Sequence, residues 1–280
     1  MFLGHFGAAF ALKPAAPRVS LGVLFLSAQF VDLLWPVMLL TGAERVEIVP
    51  GITRMVPLDF VHYPITHSLI GAAGWALLIG LVYGLVRKYP VGGWVCGIAV
   101  LSHWVLDLLV HRPDLPLAPG DSIRVGLGLW NYPAAAVALE SAIFVVGLWL
   151  YLRATRPVDR IGTWALVGLV AFLVVIHLGN IFGPPPPSAE AIAWVGHAQW
   201  LFVVWAFWVD RHRRAGCAVP LFVGSPLAAT TNGPAQAHAL GGDLPGSGWP
   251  WPVEKLGVER VETVFLWSRP SPARASLLDT

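Results

Sequence analysis

About six stretches of roughly 20 apolar residues dominate this 280-residue chain, near 19–40, 66–86, 91–110, 133–152, 161–180 and 191–209. Each is long enough to cross a hydrocarbon layer as a helix. Inside lipid every backbone N–H and C=O must be bonded within the protein, so such a chain folds as a helical bundle. Composition points the same way: 56% of residues are hydrophobic and 12% charged, where ordinary soluble domains carry about 25% charge. The expected fold is therefore all-α, a polytopic transmembrane helical bundle of about six spans. A further apolar segment over 2–12 is too short to span. It is expected to be re-entrant or a short packed helix, ended by Pro14 and Pro17. The net charge is +2 and no basic run occurs, which gives nucleic acid no footing as a partner.

The loops carry a charge asymmetry. Lys13, Arg18, Arg87, Lys88, Arg153, Arg156, Arg160, Arg211, Arg213 and Arg214 fall on one side of these spans, and only Arg45, Arg54, Arg112 and Arg124 on the other. Short loops rich in Lys and Arg face the cytoplasm, so 41–65, 111–132 and 181–190 are expected to face outward. The C-terminus is then expected on the cytoplasmic side. Two parts are expected: a transmembrane domain over 1–214, and a cytoplasmic tail over 215–280 that is Gly/Pro-rich and poorly ordered. Cys96 and Cys217 form neither a disulfide framework nor a CxxC metal pair.

Ionisable side chains within a bilayer are costly and mark function. Here Asp32, His67, His103, Asp107 and Glu140 all fall toward the outer ends of their spans, and His5 joins them if 2–12 is a helix. Lys and Arg alone set the orientation, so this clustering is a separate signal of one polar cavity. His103 and Asp107 lie four residues apart in SHWVLD, on one helix face, with His111 continuing the stripe. Imidazole and carboxylate at that spacing can close on one ion, zinc being the divalent metal that takes both donors, with three or four ligands in all. HYPITHS, residues 62–68, offers His67 and His62, with Thr66 as the expected N-cap placing His67 in the first helical turn. His5, His67, His103, Asp107 and His62 are thus candidate metal ligands. Asp32 and Glu140 are candidates for a general base or proton shuttle. His177 and His197 fit packing or helix-end roles. Gly7 with Gly4, and Gly71 with Gly74, fit close helix approach.

GHF near the start, an Asp in the first span, HYPITHS and SHWVLD occur in an order that resembles the membrane-bound metal-dependent hydrolases of the bacterial inner membrane, over about residues 1–115. The resemblance implies metal-related roles for His5, Asp32, His67, His103 and Asp107, with His62 beside them. The family's segment reads HRG-x-THS, so Tyr63 brings no charge where an arginine stands. The expected function is metal-dependent hydrolysis near the outer membrane face, on a lipid-linked or periplasmic ester or phosphoester, with membrane lipid as partner. Bound metal would acidify a water to provide the nucleophile. Three alternatives use the same polar residues: a metal-ion or proton transporter, a bis-histidine haem protein, and a structural protein whose polar network joins helices.

Overall fold

A computed structural model describes residues 1–120 and 122–216. The chain runs through α1 (Leu3–Leu12), α2 (Leu21–Ala28), α3 (Phe30–Leu40), a hairpin of β1 (Arg45–Ile48) and β2 (Leu58–His62), α4 (Leu69–Val86) and α5 (Pro90–Val110). Short strands β3 (Leu115–Pro116) and β4 (Arg124–Val125) lead to α6 (Pro133–Ala154) and β5 (Thr155–Pro157). Then come α7 (Arg160–Phe182), α8 (Ala189–His197), α9 (Gln199–Arg211) and β6 (Arg213–Ala215). Among the described residues, α4, α5, α6, α7 and the stretch Ala189–Arg211 are each long and apolar enough to cross a membrane. The helical membrane bundle is as the apolar stretches require.

The first expected span is broken. α2 and α3 meet at a bend of 52°. Gln29 serves as C-cap of one and N-cap of the other. Pro36 lies inside α3 and has no N–H to give the carbonyl of Asp32, one turn back. The bend places Asp32 in the first turn of α3 rather than deep in a straight helix.

α1 is the short packed helix. Leu3, Gly4, His5, Phe6, Gly7, Ala9 and Phe10 are all buried, so it has almost no lipid-facing side. It lies against α6, α2 and α5. A Cβ on Gly7 would stand 2.7 Å from the Phe144 backbone, and one on Gly147 would run into the Gly7 carbonyl. The two helices therefore touch backbone to backbone. Between α4 and α5 the same job falls to Gly80, Gly93 and Gly97, whose added Cβ atoms would meet the facing backbone. Gly74 has open space around it, and the neighbours of Gly71 belong to the loop before its own helix, so the expected pairing of these two does not hold.

Aromatic packing fills the bundle beyond α1's polar end. Phe10 meets Phe25, Phe144 and Tyr151 edge-on or tilted, at centroid distances of 5.1, 5.9 and 5.1 Å. At the far end Lys13 donates to the Val19 carbonyl at 2.7 Å and pairs with Asp210 at 3.1 Å. β5 and β6 pair antiparallel there. Residue 215, where the tail is expected to begin, is thus the last of a strand; the rest of the tail, from 217, lies outside the described residues.

Gly147→Val would force α1 off α6. Overpacking of this kind costs about 1–3 kcal/mol, so the thermal midpoint in detergent is expected to fall by several degrees. An unchanged midpoint would contradict the backbone contact.

Candidate metal centre

Four elements bring side chains to one point. α1 supplies His5 from its first turn, α3 supplies Asp32, the loop before α4 supplies His67, and the last two turns of α5 supply His103 and Asp107. Two overlapping sets each present three ligand atoms within 4.8 Å of one another: His5, His103 and Asp107, and Asp32, His67 and His103. Asp107 joins them. Its Oδ2 lies 3.2 Å from His103 Nε2 and 3.8 Å from His67 Nε2, and its Oδ1 lies 3.1 Å from His5 Nε2 and 2.8 Å from the Met1 nitrogen. Asp32 Oδ1 stands 3.3 Å from His67 Nε2 and 3.6 Å from His103 Nε2. Two ligands on a tetrahedral ion with bonds of about 2.0–2.1 Å stand roughly 3.3 Å apart, and these separations bracket that value.

The distal ring nitrogens are already committed. His103 Nδ1 lies 2.8 Å from the Ala28 carbonyl, an acceptor only, so Nδ1 carries the proton. The α2–α3 break frees that carbonyl. His67 Nδ1 lies 2.7 Å from Thr66 Oγ1, which donates its own hydrogen to Glu44 Oε2 at 2.6 Å. The hydroxyl can then only accept, and His67 Nδ1 must donate. Each imidazole therefore turns Nε2, a lone pair when the ring is neutral, toward two carboxylates. Among the described residues, His103 Nε2 and both nitrogens of His5 are buried and make no hydrogen bond. The His5 and His103 rings stack with centroids 3.5 Å apart and planes 6° from parallel. Imidazole nitrogens facing carboxylates in this way repel unless a proton or a metal cation lies between them, and the donor set of imidazole and carboxylate fits a divalent metal such as zinc.

Exposure within the cluster is uneven. Asp32 keeps 24% of its side-chain surface accessible, against 5% or less for His5, His67, His103 and Asp107. The open edge of the group is thus at Asp32.

Three expectations change. His62 ends β2 opposite Arg45, is exposed, and belongs to neither ligand set. The chain turns through Tyr63 and Pro64 before it reaches His67, which separates the two histidines. Thr66 is not the cap of α4: Ser68 Oγ accepts from Gly71 N at 3.0 Å, and the helix begins at Leu69, so His67 precedes it. Glu140 is also placed elsewhere. Its Oε2 accepts from the backbone N–H groups of Phe2 and Leu3 at 2.9 and 3.0 Å, capping the start of α1. That carboxylate satisfies donors which a buried helix end would otherwise leave bare. His177 lies 4.0 Å from Glu140 and stacks on Phe2, while His197 bonds the Ala193 carbonyl of its own helix.

Glu44 is the residue that sequence patterns miss. It is buried, and accepts from Ile65 N and Thr66 N at 2.8 Å each as well as from the Thr66 hydroxyl. It fixes the loop that carries His67. Beside that loop, the Tyr63 hydroxyl donates to Asp114 at 3.2 Å, and Asp114 also meets His111 and Arg112 at 3.0 Å each. Arg112 reaches on to Asp59. Burial first, and the Asp114 carboxylate second, push the Tyr63 hydroxyl up from its ordinary range, so it stays a neutral donor. The charge that the resemblance led us to miss at Tyr63 is present nearby as Arg112, bound within this network.

Searches against curated proteins and against solved structures return no match. A family model described as YdjM inner membrane protein matches residues 3–181, which takes in α1 to α7 and every ligand of the cluster. The apolar spans and that match agree: the chain is an integral inner-membrane protein and belongs to the YdjM inner membrane protein family.

Proposed function

We propose that His67, His103 and Asp107 hold one divalent cation, zinc by donor chemistry, with a fourth position open to water and with Asp32 and His5 at its edge, and that the protein is a membrane-embedded metal-dependent hydrolase. The observation that carries this is the pair of imidazoles whose Nδ1 atoms are spoken for, leaving each Nε2 turned on two carboxylates. A bound ion supplies Lewis acidity toward a carbonyl or phosphoryl oxygen and lowers the pKa of a coordinated water.

The protein's own groups do the rest. Ala28 and the Thr66–Glu44 pair hold the two rings in the one tautomer that can ligate, as outer partners of ligating histidines commonly do. Asp32, the one member open to the outside, is the group positioned to accept a proton from an incoming molecule. Its exposure sets the side from which a substrate approaches. We assign the substrate class as a lipid-linked or periplasmic ester or phosphoester, because the cluster lies at the end of the bundle away from the arginine-rich loops.

A transporter would need a polar route through both leaflets. Beyond His5, α1 instead continues into Phe6 and Phe10, packed on Phe25, Phe144 and Tyr151. That aromatic layer favours hydrolysis over transport.

Elemental analysis of the purified protein is expected to find about one divalent ion per chain, and His103→Ala/Asp107→Ala to lose it. Equal metal in both proteins overturns the proposal. Glu44→Gln keeps the size of the side chain but weakens its grip on Thr66, and metal affinity is expected to drop about 10–100-fold; the check is competition with a chelator of known affinity. For orientation, a reporter enzyme active only in the periplasm, fused after Arg214, is expected to be silent. Strong activity there would invert the assignment of sides.

A further inference from the structure

At the opposite end of the bundle the last turn of α6, β5 and β6 enclose a groove of about 550 Å³, lined by Trp149, Leu152, Arg153, Arg156, Thr163 and Arg213. Among the described residues its charges have no carboxylate partner. Arg213 is 9% exposed, yet its guanidinium donates only to neutral oxygens: Thr155 Oγ1 at 3.1 Å, Gly162 O at 2.9 Å and Thr155 O at 3.3 Å. Arg156 stands directly across the antiparallel pair from Arg214, a like-charge register that disfavours the sheet. The nearby carboxylates are engaged elsewhere, Asp159 with His212 at 2.7 Å and Asp210 with Lys13 at 3.1 Å. Among the described residues, no carboxylate lies within 4.0 Å of Arg153, Arg156, Arg213 or Arg214.

A buried guanidinium, 5.4 Å over the Tyr151 ring, and a cross-strand arginine pair, both without a carboxylate among the described residues, call for an anion. The groove's lower lip identifies its source. Trp149 and Leu152 are 50% and 48% exposed on α6, one turn or less from Arg153, whose guanidinium lies 4.8 Å over the Trp149 ring. Tryptophan beside arginine at the end of an apolar helix marks the headgroup level of a bilayer. An apolar lip below planar, phosphate-matching donors suits a molecule with acyl chains and an anionic head, and suits a free anion poorly.

We propose that this groove binds the phosphate headgroup of an anionic phospholipid, with its acyl chain along Trp149 and Leu152. The site is separate from the metal cluster and does not rest on it.

The test uses the full chain in a neutral detergent, titrated in separate arms with phosphatidylglycerol, phosphatidylcholine and inorganic phosphate, with bound lipid counted by native mass spectrometry. Phosphatidylglycerol is expected to bind preferentially. Arg153→Gln and Arg156→Gln, both exposed, should each weaken it about fivefold, the equivalent of one surface arginine's attraction to anionic lipid. Each variant's thermal midpoint without lipid should match the parent's, which separates lost binding from lost folding. Equal affinity for the two lipids overturns the proposal, as does unchanged phosphatidylglycerol binding in both variants. Displacement of the lipid by inorganic phosphate at similar concentration would make this a soluble-anion site and likewise overturn it.

Discussion

A helix of ten residues is about 15 Å long, half the depth of a hydrocarbon core, so both its ends must find partners inside the protein. α1 is that helix, and much of the molecule is arranged around its needs. Glu140 reaches from α6 to take its first free N–H groups. Lys13, just past its other end, is held by Val19 and Asp210. Gly7 and Gly147 let it sit close enough to α6 for the carboxylate to reach. Only with α1 seated does His5 come to lie flat against His103.

The same demand for partners explains the break at Gln29. A straight first span would spend the Ala28 carbonyl on its own helix. The 52° bend releases it, and His103 takes it. One irregularity thereby selects a tautomer two helices away and tips Asp32 toward the same point. The hairpin after α3 does comparable work through Glu44, which ties down both the backbone and the hydroxyl of Thr66 and so orients His67.

Periodic and compositional signals carried the bundle and most of the cluster. Long apolar runs mark spans wherever they occur, and His103 with Asp107 at i, i+4 must share a face on any helix. Asp32 and His67 stood out because an ionisable group in or beside an apolar run is costly to bury. What failed depended on distance along the chain. Glu140 looks like a proton carrier until α1, 138 residues earlier in sequence, is found ending upon it. Glu44 sits in a short polar stretch with nothing local to distinguish it, and its partners lie 22 residues on. His62 and His67 look alike in sequence, but a strand ends at the first and a turn intervenes. Thr66 and Ser68 are both competent caps, and the choice between them was made by Glu44's claim on Thr66. The bend at Gln29 carries neither glycine nor proline at its own position.

The placement of α1 has a consequence for biosynthesis. It leaves the ribosome before α2, α5 and α6, which build its seat, and the carboxylate that receives its first turn is encoded 138 residues later. At about 5–20 residues per second, on the order of ten seconds pass between the two. During that interval the segment is too short to span and has no socket to enter, so it must wait at the membrane surface. Assembly of the cluster is therefore a late event, completed only when α1 is drawn in against helices made after it.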